Sequence, residues 1–142
     1  MNKVSISILD CDFDNLEFEI NRINESNSDY IHIDIMDGAF VESDTRNLFD
    51  LKRIKKFSKI PLDIHLMVNN PLSIIDQYAK SHPDFITIHF ENNPDIKDCI
   101  ELIKSHNISA GIAINPDTEI SKLKPYLKAV SYTHLRAHET RP

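Results

Sequence analysis

Apolar and polar side chains alternate along several short segments of the chain. In DYIHIDIMDG, residues 29–38, isoleucines occupy every second position, with a histidine, an aspartate and a methionine between or beside them. A period of two is typical of a β-strand and sends the two sets of side chains to opposite faces of a sheet. The same alternation predicts five strands, over residues 4–9, 29–36, 61–67, 85–91 and 110–115.

Segments with apolar residues three or four positions apart lie between and after these strands. This spacing predicts amphipathic helices over residues 12–26, 48–57, 71–80, 95–106 and 119–128. We expect Pro125 to confine or kink the last of these helices. Alternating strands and helices indicate right-handed β/α units and a parallel sheet. A doubly wound sheet is covered on both faces and has apolar strands throughout, whereas here one face of each strand is small or polar. The pattern therefore favours a barrel whose aliphatic outer face packs on a ring of helices.

Composition and charge narrow the class of protein. The 142 residues, 41% hydrophobic and 27% charged, are typical of one globular domain. The formal net charge of −6 argues against a nucleic-acid or anionic membrane partner. No apolar run is long enough to span a bilayer, and the first residues lack the apolar segment of a signal peptide. We therefore expect a cytoplasmic protein.

The last twelve residues, SYTHLRAHETRP, differ in composition from the rest of the chain. The preceding sequence is rich in Ile, Asn, Lys and Asp, and the last twelve residues contain none of these four types. They look like a translated stretch of adapter or vector DNA, so we exclude them from the fold reasoning. We expect a partial barrel domain over residues 1–130 and a non-native tail over residues 131–142.

The polar face of the second and third strands carries the candidate chemistry. His32 and Asp34 are two residues apart on one strand, and His65 lies near the end of the next. Adjacent parallel strands bring such groups within reach of each other at one rim. Imidazole and carboxylate together suit a divalent metal such as Zn²⁺, Fe²⁺ or Mn²⁺. A buried polar patch satisfied by hydrogen bonds is the alternative interpretation.

Five motifs, in this order and spacing, resemble one known family. They read VSISILDCDF, HIDIMDG, PLDIHLMV, DFITIHFE and GIAINP, and the resemblance covers residues 3–130 or so. The chain is similar to ribulose-phosphate 3-epimerases. The resemblance implies a (β/α)8 TIM barrel, truncated here to about five β/α units. It also implies the interconversion of ribulose 5-phosphate and xylulose 5-phosphate in the pentose phosphate pathway, and a homo-oligomeric full-length protein.

The resemblance also implies roles for individual residues. His32, Asp34 and His65 would bind one divalent metal ion (Zn, Fe(II) or Mn), and Asp34 would be one of two catalytic acid/base carboxylates. The substrate would be contacted by Ser7, His65, Met36 and Met67. The family's second carboxylate and its glycine-rich phosphate loops belong to later strands, so we expect the 142-residue chain to be inactive by itself.

Two alternative functions stay open. Between the second and third strands the sequence reads AFVESDTRN, with Ala39 and Glu42 where the family usually has His and Pro. This difference leaves a hexulose 6-phosphate, such as allulose 6-phosphate, as an alternative substrate. The other alternative is a non-catalytic protein that binds a metal or a sugar phosphate.

Overall fold

The computed structural model describes residues 3–91 and 93–135. Within them, six strands form one parallel sheet, and the strands follow each other across the sheet in chain order. A doubly wound sheet reverses its strand order at a switch point, whereas sequential order is that of a β/α barrel. The predicted fold class is thus confirmed. The strands are β1 (Ser5–Ser7), β2 (Tyr30–Met36), β3 (Leu62–Met67), β4 (Phe85–His89), β5 (Ser109–Ile114) and β6 (Tyr132–Leu135).

Helices form at four of the five predicted positions. Asp50 accepts a hydrogen bond from the backbone N–H of Arg53 and so caps the second helix. The first and third helices are each preceded by a short 3-10 turn. No helix among the described residues is both long and apolar enough to cross a membrane. The helices are α1 (Leu16–Asn24), α2 (Leu51–Phe57), α3 (Ile75–Ala79) and α4 (Ile96–Ser105).

The α-helix predicted over residues 119–128 is wrong. A 3-10 turn, Ile120–Leu123, forms at its start, and further turns follow. Pro125 has no backbone N–H to donate, so it interrupts the hydrogen-bond pattern that an α-helix would need here. The side chain of Ile120 is 69% exposed, so the apolar spacing of this segment does not produce a fully buried face.

The exclusion of the last twelve residues from the fold is wrong for residues 132–135. These residues form β6, which pairs in parallel with β5. The exposed backbone groups at the edge of a sheet can pair with an extended segment whatever its side-chain pattern. The amino-acid composition of the tail does not predict this pairing, because composition describes side chains and the pairing is made by the backbone. The non-native origin of residues 131–142 stays a prediction.

A contiguous aliphatic core lies between one face of the sheet and the helices. Ile33 in β2 and Ile64 in β3 are fully buried and belong to the same cluster as Ile20 in α1 and Ile54 in α2. Since side chains alternate along a strand, this packing directs the histidines and carboxylates to the other face of the sheet. The core therefore fixes the position of the candidate site.

Candidate metal centre

Three side chains form a compact group toward the carboxyl ends of β2 and β3. The strand register pairs Asp34 with His65, and His32 lies two residues before Asp34 on the same face. One ring nitrogen of each histidine and one carboxylate oxygen all lie within 4.8 Å of one another. The structure thus brings together the three residues that were predicted as metal ligands.

The spacing of the Asp34 carboxylate from each histidine fits a divalent cation. Oδ1 of Asp34 lies 3.1 Å from Nε2 of His32 and 3.3 Å from Nδ1 of His65. Adjacent ligand atoms around a tetrahedral zinc ion, each about 2.0–2.1 Å from the metal, are separated by about 3.3–3.4 Å. Two imidazoles and a carboxylate are also a donor set suited to Zn²⁺, Fe²⁺ or Mn²⁺. Geometry and chemistry both make the cluster able to hold a metal.

A carboxylate on β3 fixes the orientation of His32. Oδ2 of Asp63 lies 2.8 Å from Nδ1 of His32 and also accepts a 3.0 Å hydrogen bond from the hydroxyl of Ser5. An ionised carboxylate can only accept, so the His32 Nδ1 atom holds a proton in this contact. Nε2 is then the ring nitrogen that faces Asp34, and it is the one through which His32 could bind a metal.

His32 and Asp34 form a half-buried ion pair. Burial lowers the pKa of His32, but hydrogen bonds to Asp34 and Asp63 outweigh burial and raise this pKa from 6.5 to about 10. Burial raises the pKa of Asp34, but hydrogen bonds from His32 and His65 outweigh it and hold this pKa well below the ordinary range. In the metal-free protein a proton on Nε2 of His32 therefore faces Asp34, and a cation would have to replace it.

The other predicted site residues border this cluster. The hydroxyl of Ser7 donates a 2.9 Å hydrogen bond to Oδ2 of Asp34, the oxygen that does not face the histidines. Met36 and Met67 are paired in the strand register, and both are buried without belonging to the aliphatic core. Roles for Ser7, His65, Met36 and Met67 in substrate binding stay predictions.

Sequence reasoning assigned no specific partner to the polar groups behind His65. Nε2 of His65 lies 2.9 Å from Nε2 of His89, and Nδ1 of His89 lies 3.0 Å from Oε2 of Glu91. Alternation along the fourth predicted strand already places His89 and Glu91 on the polar face. It could not show which neighbour each one contacts, because that depends on the register between strands.

A parallel β/α sheet in sequential order, with polar side chains gathered near the carboxyl ends of its strands, defines the β/α-barrel class of proteins. Within that class, the model of the Ribulose-phosphate 3 epimerase family matches residues 3–138. The chain belongs to this family, and the resemblance inferred from the five motifs is confirmed.

Relatives from three bacteria show the extent of the similarity. The ribulose-phosphate 3-epimerase of Helicobacter pylori (strain J99) is 38% identical over 128 residues, which cover 90% of this chain and 58% of the relative. The Bacillus subtilis (strain 168) enzyme of the same name is 36% identical over 87% of this chain and 57% of the relative. The Aquifex aeolicus enzyme is 33% identical over 95% of this chain and 61% of the relative. The chain thus spans less than two thirds of the length of these relatives.

Proposed function

We propose that this chain supplies the metal-binding part of an epimerase that inverts C3 of a ketose phosphate, with ribulose 5-phosphate as the first substrate to test. The observation that carries the proposal is the cluster of His32, Asp34 and His65 in a chain of the ribulose-phosphate 3-epimerase family. Matched relatives are named for this activity, and the cluster provides donor atoms for the metal that the reaction would use.

Asp34 is the proposed general base. The C3 proton of a ketose phosphate is weakly acidic, and a divalent metal bound by the cluster would supply Lewis-acid polarisation of the neighbouring C2 carbonyl. The low pKa of Asp34 keeps it ionised and able to accept a proton. The same low pKa makes it a weak base, so we propose that turnover depends on the bound cation.

Inversion also requires a group other than Asp34 that donates a proton to C3 from the opposite side of the substrate. A carboxylate that returned its own proton to the same side would regenerate the starting sugar. Asp63 and Glu91 are each bonded to a histidine, and we assign them no proton transfer with substrate. Met36 and Met67 are proposed to exclude water near the reacting carbons, since a thioether is apolar and donates no proton.

Activity is best tested in a fusion protein, because the chain spans only part of its relatives. Residues 1–130 are joined to the remaining carboxyl-terminal part of the Helicobacter pylori relative, and the 142-residue chain is measured beside the fusion. Deuterium incorporation at C3 of ribulose 5-phosphate, followed by proton NMR, reports proton abstraction directly. We expect exchange in the fusion and a loss of at least about 10²–10⁴-fold in Asp34→Asn.

A matched control separates the site from a general effect of removing a carboxylate. Asp76 forms a 2.7 Å contact with His106, but its side chain is 67% exposed. Asp76→Asn should therefore leave exchange unchanged. Exchange in Asp34→Asn at the wild-type rate would contradict the proposal. Preferential turnover of allulose 6-phosphate would favour the hexulose alternative, and metal binding without exchange in the fusion would favour a non-catalytic role.

A further inference from the structure

A line of polar side chains extends from His65 away from Asp34. The Nε2 atoms of His65 and His89 are 2.9 Å apart, and the two ring planes are inclined by only 19°. Both histidines are 2% exposed. On its other side, Nδ1 of His89 lies 3.0 Å from Oε2 of Glu91. Each ring therefore uses one nitrogen for the contact between the two histidines.

Glu91 is held in place by the segment that follows β5. Its Oε1 atom accepts a 2.7 Å hydrogen bond from the backbone N–H of Asn115 and another from the hydroxyl of Thr118. Burial raises the pKa of Glu91, but these two bonds, together with the bond from His89, outweigh it and lower the pKa below its ordinary range. The residue is therefore a carboxylate with one oxygen anchored and the other directed at His89.

The order of donors and acceptors along this line follows from the ionised carboxylate. Glu91 can only accept, so Nδ1 of His89 must donate. In a neutral His89 ring, Nε2 then has no proton and accepts from Nε2 of His65. Nδ1 of His65 lies 3.3 Å from Asp34 and donates to this carboxylate. Once a cation replaces the Nδ1 proton, His65 keeps its other proton on Nε2 and turns the lone pair of Nδ1 towards the cation.

We infer that Glu91, acting through His89, is a positioning residue that sets the tautomer of His65 and so directs the lone pair of Nδ1 into the candidate metal centre. This inference rests on the proposed function, in which His65 is a ligand. A histidine ligand is commonly oriented by a hydrogen bond from its other ring nitrogen. Asp63 provides that bond to His32 directly, whereas Glu91 provides it to His65 through a second imidazole.

The two carboxylates, Asp63 behind His32 and Glu91 behind His89 and His65, should act independently. Removing the charge of Glu91 should change the tautomers of His89 and His65 and leave the proton on Nδ1 of His32 in place. Removing the charge of Asp63 should instead disturb the proton on Nδ1 of His32 and leave the tautomers of His89 and His65 unchanged. A purely structural role for Glu91 would not produce this selectivity, since general loosening of the site would alter the protonation of His32 as well as that of His65 and His89.

The experiment uses the 142-residue chain labelled with ¹⁵N in its histidines. Two-bond ¹⁵N–¹H spectra identify which ring nitrogen carries the proton, in the metal-free chain and after addition of Zn²⁺. In the wild type we expect the proton of His89 on Nδ1 in both states, and the proton of His65 on Nε2 once Zn²⁺ is bound. Glu91→Gln should disturb both assignments, whereas Asp117→Asn, an exposed carboxylate on the same segment, should disturb neither.

Calorimetric titration with Zn²⁺ gives the second measurement. Glu91→Gln should weaken binding by about 10–100-fold, the usual effect of losing a group that orients a ligand. His89→Phe keeps an aromatic ring but removes both nitrogens, so it should weaken binding by a similar factor. This variant tests the inference again if Glu91→Gln does not fold.

The outcomes distinguish this inference from the proposed function. Unchanged tautomers and unchanged Zn²⁺ affinity in Glu91→Gln would overturn the inference even if the wild type binds the metal. A change in the protonated ring nitrogen of His32 as large as that of His65 in this variant would also overturn the inference. The wild-type chain could bind no Zn²⁺ and still show the expected tautomer of His89, with that tautomer lost in Glu91→Gln. This result would contradict the proposed metal site and support the hydrogen-bond order.

Discussion

Asp63→Asn tests the electrostatic account of the cluster in the metal-free chain. The substitution keeps the size of the side chain and removes the charge that lies 2.8 Å from Nδ1 of His32. Because the folded-state pKa of His32 is raised, its contribution to folding stability is complete below the unfolded-state pKa. The contribution is lost as the pH rises through the folded-state pKa. The contribution of His32 to stability is therefore lost over a pH window from about 6.5 to about 10.

The structure sets the size of the expected effect. The rise in the pKa of His32 from 6.5 to about 10 corresponds to about 5 kcal/mol of preferential stabilisation of the charged ring, at about 1.4 kcal/mol per pKa unit. Asp34 and Asp63 share this effect. Losing Asp63 should lower the pKa of His32 by about 2 units and the free energy of unfolding by about 3 kcal/mol near pH 6.5.

The assay is urea unfolding of both chains across the pH window, in the presence of a chelator. The difference in unfolding free energy should shrink from about 3 kcal/mol at pH 6.5 to below about 1 kcal/mol at pH 9.5. Cysteine titration, common to both chains, cancels in this difference. Asp76→Asn, which alters an exposed His–Asp pair, should have little effect because solvent screens such pairs. A difference that stays constant with pH, or an unchanged His32 pKa by NMR, would contradict the role of Asp63 in raising this pKa.

Three further predictions concern the metal and the core. His65→Ala should weaken Zn²⁺ binding by at least about 10–100-fold, because it removes a proposed ligand and not merely a group that orients one. His106→Ala is the control, and equal affinities by calorimetry would remove His65 from the site. At pH 7.5, Zn²⁺ binding should release at least one proton, since the raised pKa of His32 keeps Nε2 protonated until a cation replaces that proton. Calorimetry in buffers of different ionisation enthalpy measures this release, and a value of zero would contradict the assignment. Ile33→Ala should lower the free energy of unfolding by about 2–5 kcal/mol, since Ile33 is 0% exposed. Val4→Ala, at a residue 51% exposed, should change it far less in the same urea titration.

The position of the cluster could be predicted because it depends on local periodicity. Alternation puts His32 and Asp34 on one face of β2, and the parallel arrangement of strands puts His65 next to them. Both inferences need only the two-residue repeat and the order of the elements. The motifs around these residues then indicated the family, which its model confirms.

The partners of these residues could not be predicted, because they depend on register and on loops distant in sequence. The contact between His89 and His65 depends on how β4 aligns with β3. Thr45, in the loop after β2, accepts a hydrogen bond from the N–H of Met36 and donates one to the carbonyl of Asp34. Nothing in the local pattern around Thr45 indicates either bond.

The two errors in the fold have backbone causes. Pro125 removes a hydrogen-bond donor from a segment whose apolar spacing is that of a helix. Residues 132–135 pair with β5 through backbone groups, which hydrophobic patterning does not describe. Side-chain periodicity therefore predicted most elements and failed where the hydrogen bonding of the main chain decided the structure.

The metal site is tested most directly by anomalous diffraction at the zinc edge from crystals of the 142-residue chain grown with Zn²⁺. We expect one strong anomalous peak with Nε2 of His32, Oδ1 of Asp34 and Nδ1 of His65 each about 2.0–2.2 Å away. The peak should be absent from crystals of His65→Ala or much weaker in them. A wild-type crystal with no peak at this cluster, or with its zinc bound elsewhere, would show that these three residues do not form the metal site.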